Sequence, residues 1–144
     1  MKNIISEKLA INGILIILTL VVLFHLSVLI GIFPPEIVWG GRISDRSELV
    51  KMEIISILIN LVMLQIVMVR AGYFKLKINP MIIKIALWAM TLLFLLNTIG
   101  NLFSTNSFEK ITFTPLTFLL AVFCIRLAAS NASNVSLTKH EGEV

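Results

Sequence analysis

The sequence has little charge and almost no cysteine. Only 14% of its 144 residues are charged, against about 25% in an average soluble domain, and Cys124 is the single cysteine. One cysteine excludes an internal disulfide, and because Cys124 lies inside the fourth apolar run it is predicted to be a small packing residue. The sequence also has no glycine-rich phosphate loop, no nucleophile elbow and no paired metal-binding motif. These absences argue against an enzyme built on any of those motifs.

The sequence argues against a metal site, because potential ligands are few, and against nucleic-acid binding, because the basic residues are scattered. A zinc site needs three or more good ligands, and only His25 and Glu53 are good candidates, with Asp45 a weaker third. The net charge of +4 comes from residues spread between apolar runs, without the basic face that nucleic acids require. We therefore predict no metal, no cofactor and no nucleic-acid partner.

Apolar residues are abundant, at 58% of the chain. A bilayer-spanning helix needs roughly 20 mainly apolar residues, and four segments reach or approach that length. The sequence therefore predicts an all-α fold, a four-helix transmembrane bundle whose main partner is the lipid bilayer. The predicted helices cover about residues 9–33, 49–70, 80–102 and 109–129, within a single membrane domain of residues 1–130.

Prolines and glycines mark the ends of these helices. Pro34-Pro35 ends the first, Gly72 follows the second, and Asn79-Pro80 opens the third. The start of the fourth is left open, because Thr114-Pro115 also has the pattern of an N-cap followed by proline. The polar residues 131–144 have little to bury and are predicted to form a mobile cytoplasmic tail.

The lysines and arginines predict an orientation. Eight of them lie in the N-terminus, the second loop, the adjoining start of the third helix and the tail, and four lie in or beside the first and third loops. The positive-inside rule then places both termini in the cytoplasm and the first loop outside the cell. The short loops and the composition, rich in lysine, isoleucine and asparagine, are compatible with a bacterial inner (plasma) membrane. With the opposite orientation, the same first loop would face the cytoplasm.

In this orientation, polar residues of all four helices fall in the outer half of the membrane. Glu53, Ser56 and Asn60 share one helix face, and Asn97 and Asn101 share another. Polar groups facing lipid are costly, so both faces are expected to point into the bundle, where they would form a polar pocket beneath the first loop. The predicted ligand-binding residues are His25, Trp39, Arg42, Glu53, Asn60, Asn97 and Asn101.

A short sequence pattern that begins in the first loop resembles that of a known group of proteins. The pattern begins with the run Ile37-Val38-Trp39-Gly40-Gly41-Arg42 and continues downstream with Glu53, Asn60, Asn79-Pro80 and the span from Asn97 to Asn101. It resembles small bacterial four-helix integral membrane proteins of unknown function. The resemblance covers most of the chain. It implies the four-helix layout and no activity.

Three functions remain open at the level of sequence. The favoured one is non-enzymatic: the protein binds a small amphipathic or lipid-like molecule in the polar pocket, or serves as a small membrane accessory protein. The second is a membrane-embedded isomerase or other acid–base enzyme in which His25 and Glu53 move a proton. The third is a structural bundle that forms homo-oligomers through its polar faces, with the asparagines acting as interhelical hydrogen-bonding groups.

Overall fold

The computed structural model describes residues 5–43, 45–74 and 76–130, so the predicted tail at 131–144 lies outside the described residues. Within that part of the chain there are four α-helices and no strands. Helix α1 spans Glu7–Leu29, α2 spans Arg46–Arg70, α3 spans Pro80–Leu102 and α4 spans Ser107–Ala129. Two short 3₁₀ turns, Pro35–Ile37 and Trp39–Gly41, lie in the loop between α1 and α2.

Helix α1 ends four residues earlier than the predicted boundary at residue 33. Ile30 closes the helix, and Gly31 follows with a φ of 84°, a left-handed conformation that stops an α-helix. The chain therefore leaves the helix before it reaches Pro34-Pro35.

The starts of the other helices follow from side-chain caps. Asp45 accepts a hydrogen bond from the amide of Glu48, which begins α2 about three residues before the predicted start. Asn79 caps α3, and Pro80 occupies its first turn. Asn106 caps α4 through two amides, so Pro115 lies inside that helix rather than at its beginning.

All four helices are long and apolar enough to cross a membrane. Each has 23–25 residues, which at a rise of about 1.5 Å per residue exceeds the roughly 30 Å of hydrocarbon in a bilayer. Their outward faces carry exposed leucine, isoleucine and phenylalanine, as expected of surfaces in contact with lipid. The chain is therefore a multi-pass integral membrane protein, and the predicted four-helix bundle is confirmed.

The helices pack as two hairpins joined along one seam. Helix α1 packs on α2, α3 packs on α4, and the two hairpins meet where α1 contacts α4. Gly13 of α1 lies directly against the ring of Phe123 in this seam. In contrast, α2 and α3 touch at few positions, so the bundle is open along one side. We call this opening the α2–α3 gap.

The end of the bundle that carries residues 5–6, 71–74, 76–79 and 130, here called the terminal end, is held by ionic contacts. Glu7 at the start of α1 accepts a hydrogen bond of 3.1 Å from Arg70 and lies 3.9 Å from a guanidinium nitrogen of Arg126. Arg70 also donates to Ser130, and Arg126 donates to the backbone of Ile5. These contacts join the ends of α1, α2 and α4.

Candidate functional site

The opposite end of the bundle, formed by residues 30–43, 45 and 103–106, is here called the loop end, and it contains a fully buried carboxylate. Glu53 of α2 has no exposed surface. Its Oε2 lies 2.7 Å from Nδ1 of His25 on α1, and its Oε1 accepts a 2.8 Å hydrogen bond from the indole nitrogen of Trp39. A buried carboxylate is tolerated when its oxygens are hydrogen-bonded, and here both are. Glu53 thus links α1, α2 and the loop between them.

The loop adopts an unfavourable backbone conformation at the residue that Glu53 holds. Trp39 has a φ of 55°, a left-handed value that bulky residues rarely adopt, and Gly40 follows with a φ of 67°. Such a conformation costs on the order of 1–3 kcal/mol and persists only where neighbouring contacts enforce it. The bond from Trp39 to Glu53 is one such contact. Residues 38–42 are called the capping loop below.

A second carboxylate holds the capping loop to the other hairpin. Glu109 of α4 accepts hydrogen bonds from the Gly40 amide at 2.7 Å and from the Ser104 hydroxyl at 2.6 Å. Thr105 donates to the Gly40 carbonyl at 2.8 Å, and Asn106 donates to the carbonyl of Glu36. The capping loop therefore lies across the loop end, from the α1–α2 hairpin to the α3–α4 turn.

Beneath the capping loop lies a cavity of about 540 Å³, within the range of roughly 300–1,000 Å³ typical of small-molecule sites. Its lining on α2 runs from Met52 to Met63, a depth of about 16 Å along the helix axis. All four helices contribute to the wall. The lining includes Leu18, Val21, Phe24, His25, Val38, Trp39, Gly40, Arg42, Ser56, Asn60, Leu93, Phe94, Asn97, Gly100, Asn101, Ser104, Glu109, Thr117 and Leu120.

The polarity of this lining changes with depth. The loop end of the cavity carries a guanidinium, a carboxylate and a hydroxyl, from Arg42, Glu109 and Ser104. Amides from α2 and α3 follow. The deepest levels of the lining are mostly apolar, with Leu18 of α1 and Leu120 of α4, and Asn60 of α2 is the amide that reaches about the depth of Leu18. The cavity is therefore amphipathic along its long axis.

Six of the seven predicted ligand-binding residues line this cavity. They are His25, Trp39, Arg42, Asn60, Asn97 and Asn101. Glu53 does not line it. The carboxylate lies behind the cavity wall, where it orients two of the lining side chains, because Trp39 and His25 approach it from the loop and from α1.

The three asparagines differ in their contacts. The Asn60 amide donates to the Ser56 carbonyl one turn earlier on its own helix, at 2.8 Å. Asn97 and Asn101 make no side-chain hydrogen bond to any residue within 5–43, 45–74 and 76–130. Their amides face the cavity and the α2–α3 gap. Within the described part of the chain they do not bridge helices, which leaves their hydrogen-bonding groups available to another molecule.

Glu109 and Ser104 were not predicted as site residues. Both fall in a short polar stretch between the third and fourth helices, where acids and hydroxyls are typical of a solvated helix start. Glu109 holds the capping loop through a hydrogen bond from the Gly40 amide, and Gly40 is 69 residues away in the sequence. No local pattern marks such a contact. The single available signal is that both residues lie at the same end of the bundle as the capping loop.

Comparison of the chain with family models, curated proteins and solved structures finds no match. The resemblance to small bacterial four-helix membrane proteins therefore has no support beyond the four-helix layout itself. Within the described segments, no group of three or more histidine, cysteine or acidic side chains is placed to hold a metal ion. The function has to be argued from the cavity and its surroundings.

The contact between Glu109 and the capping loop gives a first prediction. Glu109→Ala removes the acceptor of two short hydrogen bonds, and bonds to charged groups contribute about 1.5–3 kcal/mol each. We expect the capping loop to detach and acrylamide to quench Trp39 fluorescence more strongly. The measurement uses a Trp88→Phe background, which leaves Trp39 as the only tryptophan.

Two further variants control this experiment. Glu109→Gln retains an acceptor oxygen and should stay close to the parent, and Lys110→Ala changes an exposed neighbour on the same helix. Equal quenching in all three variants would show that Glu109 does not hold the loop.

Proposed function

We propose that this protein binds a small amphipathic, lipid-like molecule in the cavity beneath the capping loop. The change in lining polarity with depth is the observation that carries the proposal. A molecule with a polar head and a hydrocarbon tail matches that gradient: the head meets Arg42 and the asparagine amides, and the tail lies among leucine and phenylalanine. Polar groups left free in an apolar environment are costly, so a bound head also satisfies Asn97 and Asn101.

We further propose that the loop end faces the outside of the cell. The excess of lysine and arginine at the other side of the sequence supports cytoplasmic termini, and the composition supports a bacterial plasma membrane. In this orientation the cavity opens in the outer half of the bilayer, and the ligand comes from the outer leaflet or the external medium.

Native mass spectrometry of the gently solubilised protein tests the binding function. We expect a co-purifying small molecule in the wild type and its loss from Gly100→Phe. A Cβ added at Gly100 meets no atom within 4 Å, and Gly100 lines the cavity, so this position is chosen to bring a phenyl ring to the cavity wall. Ile99→Phe is the matched control, because Ile99 is exposed on the same helix and does not line the cavity.

The alternatives predict different spectra. An empty wild type would contradict binding and would favour a structural bundle, whose homo-oligomers appear in the same spectra. A molecule that Gly100→Phe and Ile99→Phe retain equally would place the ligand outside the cavity.

A membrane-embedded acid–base enzyme is a second candidate, and the His25–Glu53 pair favours it. The carboxylate holds one ring nitrogen of His25, and the ring itself lines the cavity. This arrangement fixes the orientation of an imidazole that can remove and return a proton, as an isomerase requires. Incubation of the loaded protein in D₂O tests it. An isomerase adds deuterium to the ligand, and His25→Ala abolishes the exchange, whereas a binder leaves the ligand mass unchanged.

A further inference from the structure

The cavity is covered at the loop end and open at the side. The capping loop crosses its outer end, with Val38 and Gly40 buried and with bonds to Glu109 and Thr105 holding it in place. Among the described residues, α2 and α3 touch at few positions, so this side of the cavity is less closed than the loop end. A molecule dissolved in the aqueous phase meets the loop, whereas a molecule in the bilayer meets the gap.

The side chains at the gap are those of a lipid-accessible opening. Ile55 on α2 is 50% exposed and Leu96 on α3 is 60% exposed, yet both also line the cavity. Gly100, beside Leu96 on the cavity wall, has no side chain to narrow the gap. Surfaces shared between the cavity and the lipid-facing exterior form a continuous apolar path, which a hydrocarbon chain can follow without crossing water.

The charged residues at the loop end of the cavity bear on which lipid head group the cavity would bind. Glu109 already accepts two hydrogen bonds that hold the capping loop. Arg42 lines the cavity, its side chain lies beside Gly40, and it forms no ion pair with any residue in the described ranges. A guanidinium at the mouth of an apolar cavity favours an anionic oxygen group, which it binds through several N–H donors.

We propose that the ligand is a membrane lipid with an anionic head group, and that it enters sideways through the α2–α3 gap. Its phosphate or carboxylate oxygens bind Arg42, with Asn97 and Asn101 as neutral donors nearby, and its chain lies in the apolar depth of the cavity. This inference rests on the proposed binding function and adds the class of ligand and its route. Both an anionic phospholipid and a fatty acid supply this chemistry.

Quenching of Trp39 by brominated lipids tests the inference. The Trp88→Phe protein is reconstituted in phosphatidylcholine vesicles that contain brominated phosphatidylglycerol, brominated phosphatidylcholine or brominated oleic acid at equal mole fractions. Trp39 lines the cavity, so a brominated chain inside it quenches the indole directly. We expect at least one anionic probe to quench severalfold more than brominated phosphatidylcholine. The responsive probe identifies the source as phospholipid or fatty acid.

Three variants in the same background separate the contributions. Arg42→Gln is expected to weaken the apparent affinity for the anionic probe about ten-fold, the loss of one charge-assisted contact. Lys51→Gln removes the same charge at an exposed position near the loop end, outside the cavity, and should change little. Gly100→Phe should abolish the excess quenching, and Ile99→Phe should preserve it.

The possible outcomes distinguish this inference from the binding function. Equal quenching by anionic and zwitterionic probes, abolished by Gly100→Phe, would keep the binding function and overturn the anionic head group. Equal weakening by Arg42→Gln and Lys51→Gln would also overturn it, because general surface attraction then explains the preference. Anionic quenching that survives Gly100→Phe would overturn the route through the gap. No saturable quenching by any probe, together with an empty wild type in native mass spectrometry, would overturn both proposals.

Discussion

Glu53→Leu is expected to lower the free energy of unfolding by about 3–5 kcal/mol, the range for breaking a buried charged contact. Leucine fills a similar volume but accepts no hydrogen bond, so Nδ1 of His25 and the indole N–H of Trp39 both lose their partner. Each buried donor left unsatisfied costs about 1–3 kcal/mol. Trp39 then also loses a contact that holds its left-handed backbone.

Glu53→Gln is the matched control for this loss. The amide oxygen of glutamine can still accept from Trp39, and the amide can still bond to His25, so we expect a loss of only about 1 kcal/mol. Both variants are measured by denaturation in mixed detergent micelles, followed by circular dichroism. Similar losses in the two would show that the bundle needs the carboxylate charge itself rather than an acceptor at this position.

The second large effect concerns the seam between the two hairpins. Gly13→Ala is expected to lower the free energy of unfolding by about 1–3 kcal/mol, the usual cost of overpacking. A Cβ at Gly13 would overlap a ring carbon of Phe123, and Phe123 is itself buried in the core. The ring or the helix has to move, and the seam is the main contact between the hairpins.

Gly100→Ala provides the comparison, because the added methyl there meets no atom within 4 Å. Alanine favours a helix over glycine by about 0.5–1 kcal/mol, so this variant should be neutral or slightly more stable. Adding Phe123→Leu to Gly13→Ala should recover part of the loss, which a double-mutant cycle measures. Equal stability of the two glycine variants would contradict the close packing at Gly13.

The fold could be predicted from sequence because its causes are local. Apolar runs long enough to span hydrocarbon identify the helices, and Asn79-Pro80 places the start of α3 where the structure has it. The boundaries near Leu29 and Arg46 differed by a few residues, since Gly31 and Asp45 set them through backbone conformation and capping. Both residue types are known helix-end signals, but Pro34-Pro35 is a stronger helix-stop signal than Gly31, and the end of α1 was therefore predicted too late.

The candidate site was only partly predictable because its contacts are not local. Depth along each helix was sufficient to place polar residues at one end, and four of these predicted residues, His25, Asn60, Asn97 and Asn101, line the cavity. The periodicity of apolar residues along a helix does not show which neighbouring helices pack loosely, so the α2–α3 gap could not be predicted from the sequence. The position of Glu53 behind the wall depends on how the capping loop folds back, and the partner of Glu109 depends on how the two hairpins meet.

The partners of Glu53 also bear on how the chain is made. His25, Trp39 and Glu53 all belong to the first hairpin, so their hydrogen bonds can form as soon as α2 has left the ribosome. A carboxylate that reaches the lipid already paired avoids much of the cost of inserting a bare charge. Glu109 is translated later, and its bonds to the capping loop require the second hairpin. The order of the chain therefore allows the contacts of Glu53 to form before those of Glu109.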